Sequence, residues 1–428
     1  MAIDYINPGG TYWPVTDYYW PQTFYYWPLS SDVVPEPDEC FITIPTPGSI
    51  ASRYFIILRD VNGNIVALFD HWIGLSWRLA INEVTEGILI LGGTDARILL
   101  FEEDYRIEVF RSVPGANLTW YEEFAMLVDG FSFSKGENGE KQFNVELVEL
   151  NDFARRRVVA YKAGTLGSDK SGAADTVMQE YADENLGTNA TVAHGRLIDG
   201  VTPNMAVGGA NGKGKYWQGS ASGQPLINVL QEIAKFSSVD FAVVKTGNDN
   251  WRFTVFPNML GSDRTNANMD ANTGFNGAGN APVYFSVPFG TVAIQVYRKS
   301  RRNEANTIIV WGKGERSTQK VIISTNDASR AITKYNKREL SASGGSAEYE
   351  YQLRDIGDGE LEVNIYEETF EMIPLQQVSQ LYGKHYFIGD RIMVIDERTQ
   401  QLHTKRLMAV NGSIDGSSKQ EQLSFEFE

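Results

Sequence analysis

Short apolar runs recur along this chain at intervals of about ten residues, divided by Gly, Asn, Asp and Pro. That spacing constrains the fold more than any other feature, because it suits a sandwich or barrel and leaves little room for helices. Residues 53–60 and 64–70 flank Asn62-Gly63, whose tolerance of positive φ predicts a hairpin with a type I′ turn. Further strands are expected at 77–82, 87–91, 98–101, 105–113 and 117–129. Residues 131–135 and 141–150 then flank a turn from Gly136 to Gly139. Helical spacing is confined to the middle. At 174–186 it aligns Ala174, Val177, Met178, Tyr181 and Ala182, and Gly187 closes the run. At 225–236 it aligns Leu226, Val229, Leu230, Ile233 and Ala234, with Pro225 in the first turn. Strands 240–245 and 251–257 follow, giving an α-β-β unit.

Residues 261–282, rich in Gly, Asn and Asp, read as a long loop or a partly ordered excursion. Strands return at 283–287, 292–298, 307–313 and 319–325. Residues 342–346 read as a Gly/Ser linker, and strands close the chain at 361–366, 391–396, 404–411 and 422–428. The expected fold class is mainly β with a smaller α+β part. Residues 1–38 form an extended arm, 39–160 a first β-barrel domain, 161–285 an α+β middle domain, and 286–428 a second β-barrel domain with closing strands. No residue-level repeat relates the two β-rich stretches.

The arm is unlike the rest. Tyr-Trp-Pro occurs at 12–14, 19–21 and 26–28, and ten aromatic residues fall within the first 28. Proline at this spacing forbids a helix and favours an extended, partly polyproline II course. So many aromatics need a surface to lie on, either their own domain or a neighbouring subunit. Trp13, Trp20 and Trp27 are the candidate anchors.

Charge narrows the partners. Among 428 residues, 38 Lys and Arg face 54 Asp and Glu, a formal charge of −16. That excess argues against a dedicated nucleic-acid binder and against a polybasic membrane-surface protein. The single cysteine, Cys40, cannot form an intrachain disulfide. No apolar run approaches the ~18 residues of a membrane span, and the first residues show no signal-peptide pattern.

No catalytic constellation emerges, so no catalytic residue, cofactor or metal is expected. Gly208 to Gly214 lacks the Ser or Thr of a phosphate-binding loop. His71, His194, His385 and His403 are too scattered for a local zinc site. The doublets Glu122-Glu123 and Glu367-Glu368 and the triplet Glu102-Glu103-Asp104 read as solvated surface, and neighbours on a strand point to opposite faces. Two basic clusters stand out: Arg155, Arg156 and Arg157, and the run from Arg298 through Arg301 and Arg302. They are either solvated edge charges or an ion-pair surface for an acidic partner or a like subunit.

The order of several short motifs resembles the hub-type tail proteins of long-tailed bacteriophages, the siphovirus tail-hub family. Those motifs are the helix 225–236 with its hairpin, Gly261-Ser-Asp-Arg264-Thr265, Phe285-Ser286, Asn306 with Gly312-Lys-Gly314, and Ile388-Gly-Asp390-Arg391. Asn151-Asp-Phe-Ala-Arg155 resembles a further segment of that family. The resemblance covers residues 75–428 and implies a non-enzymatic structural protein at the distal end of a virion tail. It further implies a homotrimeric ring of tube-like barrels joining the hexameric tail tube and distal tail proteins to a threefold tip, fibre or spike. The genome would pass through an acidic lumen without sequence-specific binding. A carbohydrate- or receptor-binding tail protein is the alternative, drawing on the aromatic arm. A cell-wall hydrolase is a third reading.

Overall fold

A computed structural model describes residues 53–113, 120–160, 165, 167–314, 316–345, 347, 349–376, 380–417 and 420–428. The arm, with Trp13, Trp20, Trp27 and Cys40, lies outside them.

The first β-rich stretch supplies β1 (Arg53–Arg59), β2 (Ile65–Phe69), β3 (Gly74–Ala80), β4 (Glu86–Gly92), β5 (Arg106–Ser112), β6 (Trp120–Lys135) and β7 (Lys141–Glu149). The middle holds α1 (Asp152–Arg155), β8 (Ser168–Ala173), α2 (Ala174–Asn185), β9 (Met205–Val207), β10 (Tyr216–Ala221), α3 (Leu226–Ser237), β11 (Asp240–Lys245) and β12 (Trp251–Phe256). Then come β13 (Tyr284–Phe285), β14 (Val292–Ser300), β15 (Thr307–Trp311), β16 (Val321–Thr325), α4 (Asp327–Arg330), β17 (Glu339–Ser343) and α5 (Glu350–Val363). The last strands are β18 (Glu367–Pro374), β19 (Arg391–Ile395), β20 (Leu402–Asp415) and β21 (Glu421–Phe427).

The protein is mainly β with a smaller α+β part. The two β-rich stretches do not close separately. They join in one 13-stranded sheet with the main order β14-β18-β21-β20-β3-β4-β7-β6-β5-β1-β2, and no pairing among the described residues closes it into a barrel. The weld is β3 against β20, antiparallel, with Trp77 opposite Gly412. On its other side Trp77 faces Gly87. A Cβ at 412 would collide with the indole, so glycine there lets the ring lie across the seam. Trp77 also packs on Phe124 at 5.3 Å and Tyr54 at 5.8 Å. One continuous apolar core therefore runs from Ile56 and Leu58 through Trp77 to Phe370, Phe425 and Phe427.

The first hairpin forms with a different turn from the one expected. Only Gly63 of the pair has positive φ, at +80°. The Asp60 carboxylate accepts from the backbone N–H of Asn62 and Asn64, which widens the turn and places a bulge at Arg59. Residues 98–100 lie in a 3-10 turn (Ala96–Leu100) rather than a strand, and Phe101 caps it.

In two later segments glycine serves close packing rather than a loop. Of the expected linker 342–346, residues 342 and 343 instead end β17 (Glu339–Ser343), which runs parallel to β15, and residue 346 lies outside the described residues. Residues 361–366 are not a strand: α5 runs to Val363. Gly357 and Gly359 argue against a helix by propensity. In the fold they let α5 approach closely, with Gly357 against Ser324 and Gly359 against the Phe236 ring. Residues 261–282 do form a long loop, held by side-chain amides. Buried Asn276 donates to the carbonyls of Asp263 and Thr265 at 2.8 and 2.9 Å, and Asn280 donates to Asp263 at 3.1 Å.

Candidate assembly surfaces

The motifs that carry the family resemblance form joints between regions. Gly261-Ser-Asp-Arg-Thr and Gly389-Asp-Arg meet although about 130 residues apart. Ser262 N–H and Arg264 Nε donate to the two Asp390 oxygens at 2.7 and 2.6 Å. Gly261 (φ +96°) and Gly389 (φ +93°) lie backbone to backbone, so a side chain at either position would strike the other. Asn151 donates to the Glu83 carbonyl and accepts from Val243 N–H, both at 2.8 Å, tying β11 to the end of β7. Asn306 is fully buried, donating to the Asn336 carbonyl and accepting from Arg338 N–H.

Buried charges seat the middle layer on the sheet. Glu108 of β5 accepts from Arg59 at 2.8 Å, Arg106 at 2.9 Å and Lys245 at 2.7 Å, and Lys245 also pairs with Glu122. Burial pushes the carboxyls of both glutamates up. At Glu108 the three cations outweigh it and hold the carboxyl below its usual range, whereas Glu122 stays raised. Across the layer, Asp240 accepts from Arg406, Asn82 Nδ2 at 3.0 Å and Leu260 N–H. A third cluster lies inside the sheet, where Arg111 donates to Glu421, Tyr121 Oη and the Tyr382 carbonyl. Glu123 accepts from Tyr121 Oη in the same cluster, at 2.7 Å.

These clusters correct the reading of Glu122-Glu123 as solvated surface. The two do point to opposite faces, but both are buried, one under the middle layer and one in the sheet interior. Sequence gave no signal of this, because the compensating Lys245 is 123 residues from Glu122. Glu102, Glu103 and Asp104 are exposed, as is Glu367, while Glu368 pairs with Lys405 at 3.2 Å. Among the described residues no group of three His, Cys, Asp or Glu is placed to hold a metal ion. No helix among them is long and apolar enough to cross a membrane.

The candidate arginines are differently employed. Arg155 and Arg156 both pair with buried Asp152, and Arg156 reaches Asp104. Arg157 donates to Thr202 Oγ1 at 3.2 Å. Arg301 pairs with Glu304 at 3.1 Å, while Arg302 is exposed. A cleft of about 430 Å³ lies over the β3–β20 seam, lined by Ile73, Ile88, Ile90, Ser413 and Gln422 among others. No aromatic side chain lines it, so it offers no stacking platform for a sugar ring.

The sheet ends openly. β14 pairs with β18 alone and β2 with β1 alone among the described residues. Arg97 covers part of the β2 edge by donating to the Leu68 carbonyl. Beside the β14 edge, Ile294, Val296 and Ile373 are exposed at 52%, 49% and 40%.

Residues 55–425 match the family described as siphovirus ReqiPepy6 Gp37-like protein. No curated protein matches the chain by sequence. Among solved structures, the 43 kDa tail protein of prophage MuSo2 from Shewanella oneidensis is similar, with a TM-score of 0.53 at 12% identity, over 88% of this chain and 98% of that one. A tail protein from Neisseria meningitidis MC58 is similar with a TM-score of 0.50 at 10% identity, over 88% and 96% of the two chains. At such identities the likeness is one of fold.

Proposed function

The chain belongs to the siphovirus ReqiPepy6 Gp37-like family and shares its fold with phage tail proteins, and on that premise we propose that it is a structural hub at the distal end of the tail. In this reading it is a subunit of a homotrimeric ring. Each subunit brings two β-rich stretches welded into one sheet, so three subunits carry six such stretches to face the hexameric tail tube and distal tail proteins. The other face meets a threefold tip, fibre or spike. The arm, through Trp13, Trp20 and Trp27, fastens neighbouring subunits, and the genome passes through the lumen.

The observation that carries this reading is the open sheet. A nine-residue strand with one edge unpaired among the described residues, flanked by exposed aliphatic side chains, is a liability in a free monomer. A head-to-tail contact repeated around a closed ring covers every such edge. The excess of acids suits a conduit that DNA slides past, since phosphates bind to cationic surfaces.

Light scattering on the purified chain tests the ring. The expected mass is three times 47.8 kDa. The double variant Ile294→Lys/Val296→Lys is expected to run as a monomer with an unchanged melting temperature. A wild-type chain that stays monomeric at tens of micromolar overturns the ring.

A further inference from the structure

Charge is distributed very unevenly along this acidic chain. Residues 298–339 contain 11 Lys and Arg against 4 Asp and Glu, a balance of +7, which leaves −23 on the rest. The fold brings two stretches of that positive charge together, 301–302 and 334–338, through one acid. Glu304, nearly buried, accepts from Arg301 at 3.1 Å and forms an ion pair with Arg338 at 3.7 Å, and so ties the end of β14 to the loop before β17. Asn306 and Asn336 hold the same loop, through Asn306 Nδ2 to the Asn336 carbonyl at 2.9 Å and Asn336 Nδ2 to the Ser329 carbonyl at 2.8 Å. This framework presents Arg302, Lys334 and Lys337 outward, with Arg298 farther along β14. All four are exposed and carry no ion pair among the described residues. Tyr335, 81% exposed, has the Lys334 ammonium 4.8 Å from its ring centre.

We propose that this patch of Arg302, Lys334 and Lys337 docks the acidic surface of a second copy of the chain and steers the ring together. The inference rests on the ring reading and adds to it the electrostatic contact. Two observations select a second copy. The residues outside 298–339 carry a net charge of −23, so a like subunit is complementary in net charge. Arg302 also follows the end of β14 by two residues, so a subunit covering the β14 edge comes near the patch. The exposed Tyr335 suits a protein contact, where Tyr is enriched.

The test is sedimentation of the full chain at low salt and at about 0.5 M salt, where charges farther apart than a few Å are screened. The wild type is expected to associate tightly at low salt and more weakly at high salt. Lys334→Glu/Lys337→Glu is expected to raise the dissociation constant about tenfold or more at low salt and to lose most of the salt dependence. Lys334→Arg/Lys337→Arg, which keeps the charge, is expected to associate as wild type, and an unchanged melting temperature of the charge-reversed variant excludes a folding defect as the cause. A charge-reversed variant that associates as tightly as wild type overturns the docking role while leaving the ring intact. A wild-type chain that is monomeric at both salts overturns the ring and the inference together. Retention of the wild type, but not of the reversed variant, on duplex DNA with no change in association assigns the patch to nucleic acid and overturns the inference.

Discussion

Two α/β modules are built onto the sheet, and they are fastened in opposite ways. The middle module, β8 to β12 with α2 and α3, shares a hydrophobic core with Leu127, Val148 and Leu150 of the sheet. It is pinned by the charge clusters at Glu108 and Asp240, where acids and bases lose nearly all contact with water. The later module, β15 to β17 with α5, has its own small core of Ala305, Ile308, Val310 and Leu353. Its cross-module ion pair, Lys215 with Glu362, is roughly half exposed, and several of its cations face solvent. Buried charges penalise any seating that separates them, so they fix how a module sits. Exposed charges penalise nothing internal, so they remain available to a partner. One module is built to be held, and the other to hold something else.

The largest expected effect comes from breaking the held module. Asp240→Ala strands Arg406 in a nearly dry site and is expected to cost about 3–5 kcal/mol in urea unfolding. If the loss is below about 1 kcal/mol, the pin is not a pin. Glu149, at the sheet's junction with α1, gives an effect of opposite sign. Its carboxylate accepts from Thr85 Oγ1 at 3.0 Å, and burial pushes its carboxyl up to about 8. Between an unfolded value of about 4.3 and about 8 the folded state keeps a proton that the unfolded state has released, so stability falls as pH rises through that window. Glu149→Gln is therefore expected to stabilise the chain by about 2–4 kcal/mol at pH 8 and by little at pH 4. Equal stability curves for the two proteins across that range refute the shift.

Gly261→Ala tests the joint between the two distant motifs. It forces a Cβ against Gly389 at positive φ, and a loss of about 1–3 kcal/mol is expected. The smallest effect sharpens the contrast. Lys334→Glu/Lys337→Glu lies on the loosely held module and is expected to change monomer stability by no more than about 0.5 kcal/mol. A large loss there would mean that the patch serves the fold rather than a partner.

Much of this was legible from local sequence. α2 and α3 stand within a residue or two of their apolar periodicity, and Pro225 does precede α3. The β6–β7 turn sits at Gly136 to Gly139, closed by Gly136 N–H to the Glu140 carbonyl at 2.8 Å. The short motifs were recognisable individually, but nothing local revealed that Arg264 and Asp390 would meet. The same limit hid the weld of the two β-rich stretches, since period-two alternation shows a strand's face and not its neighbour. α5 was lost because its glycines serve packing against Phe236 and Ser324, a need that propensity cannot register. The basic clusters were visible as runs, but not which members the fold would consume: Arg155 and Arg156 are engaged, while Arg302 is presented.

The pairing of β3 with β20 also sets an order of events in time. Residue 77 must wait for residue 412 before its indole has a floor to rest on, and β21 must slot between β18 and β20. More than 300 residues of ribosomal output separate those partners. Until synthesis reaches the last strands, the early hairpins stand with one flank of the growing sheet bare, which favours slow folding and exposure to aggregation. A cell making this protein in quantity has to shelter that flank until the closing strands arrive.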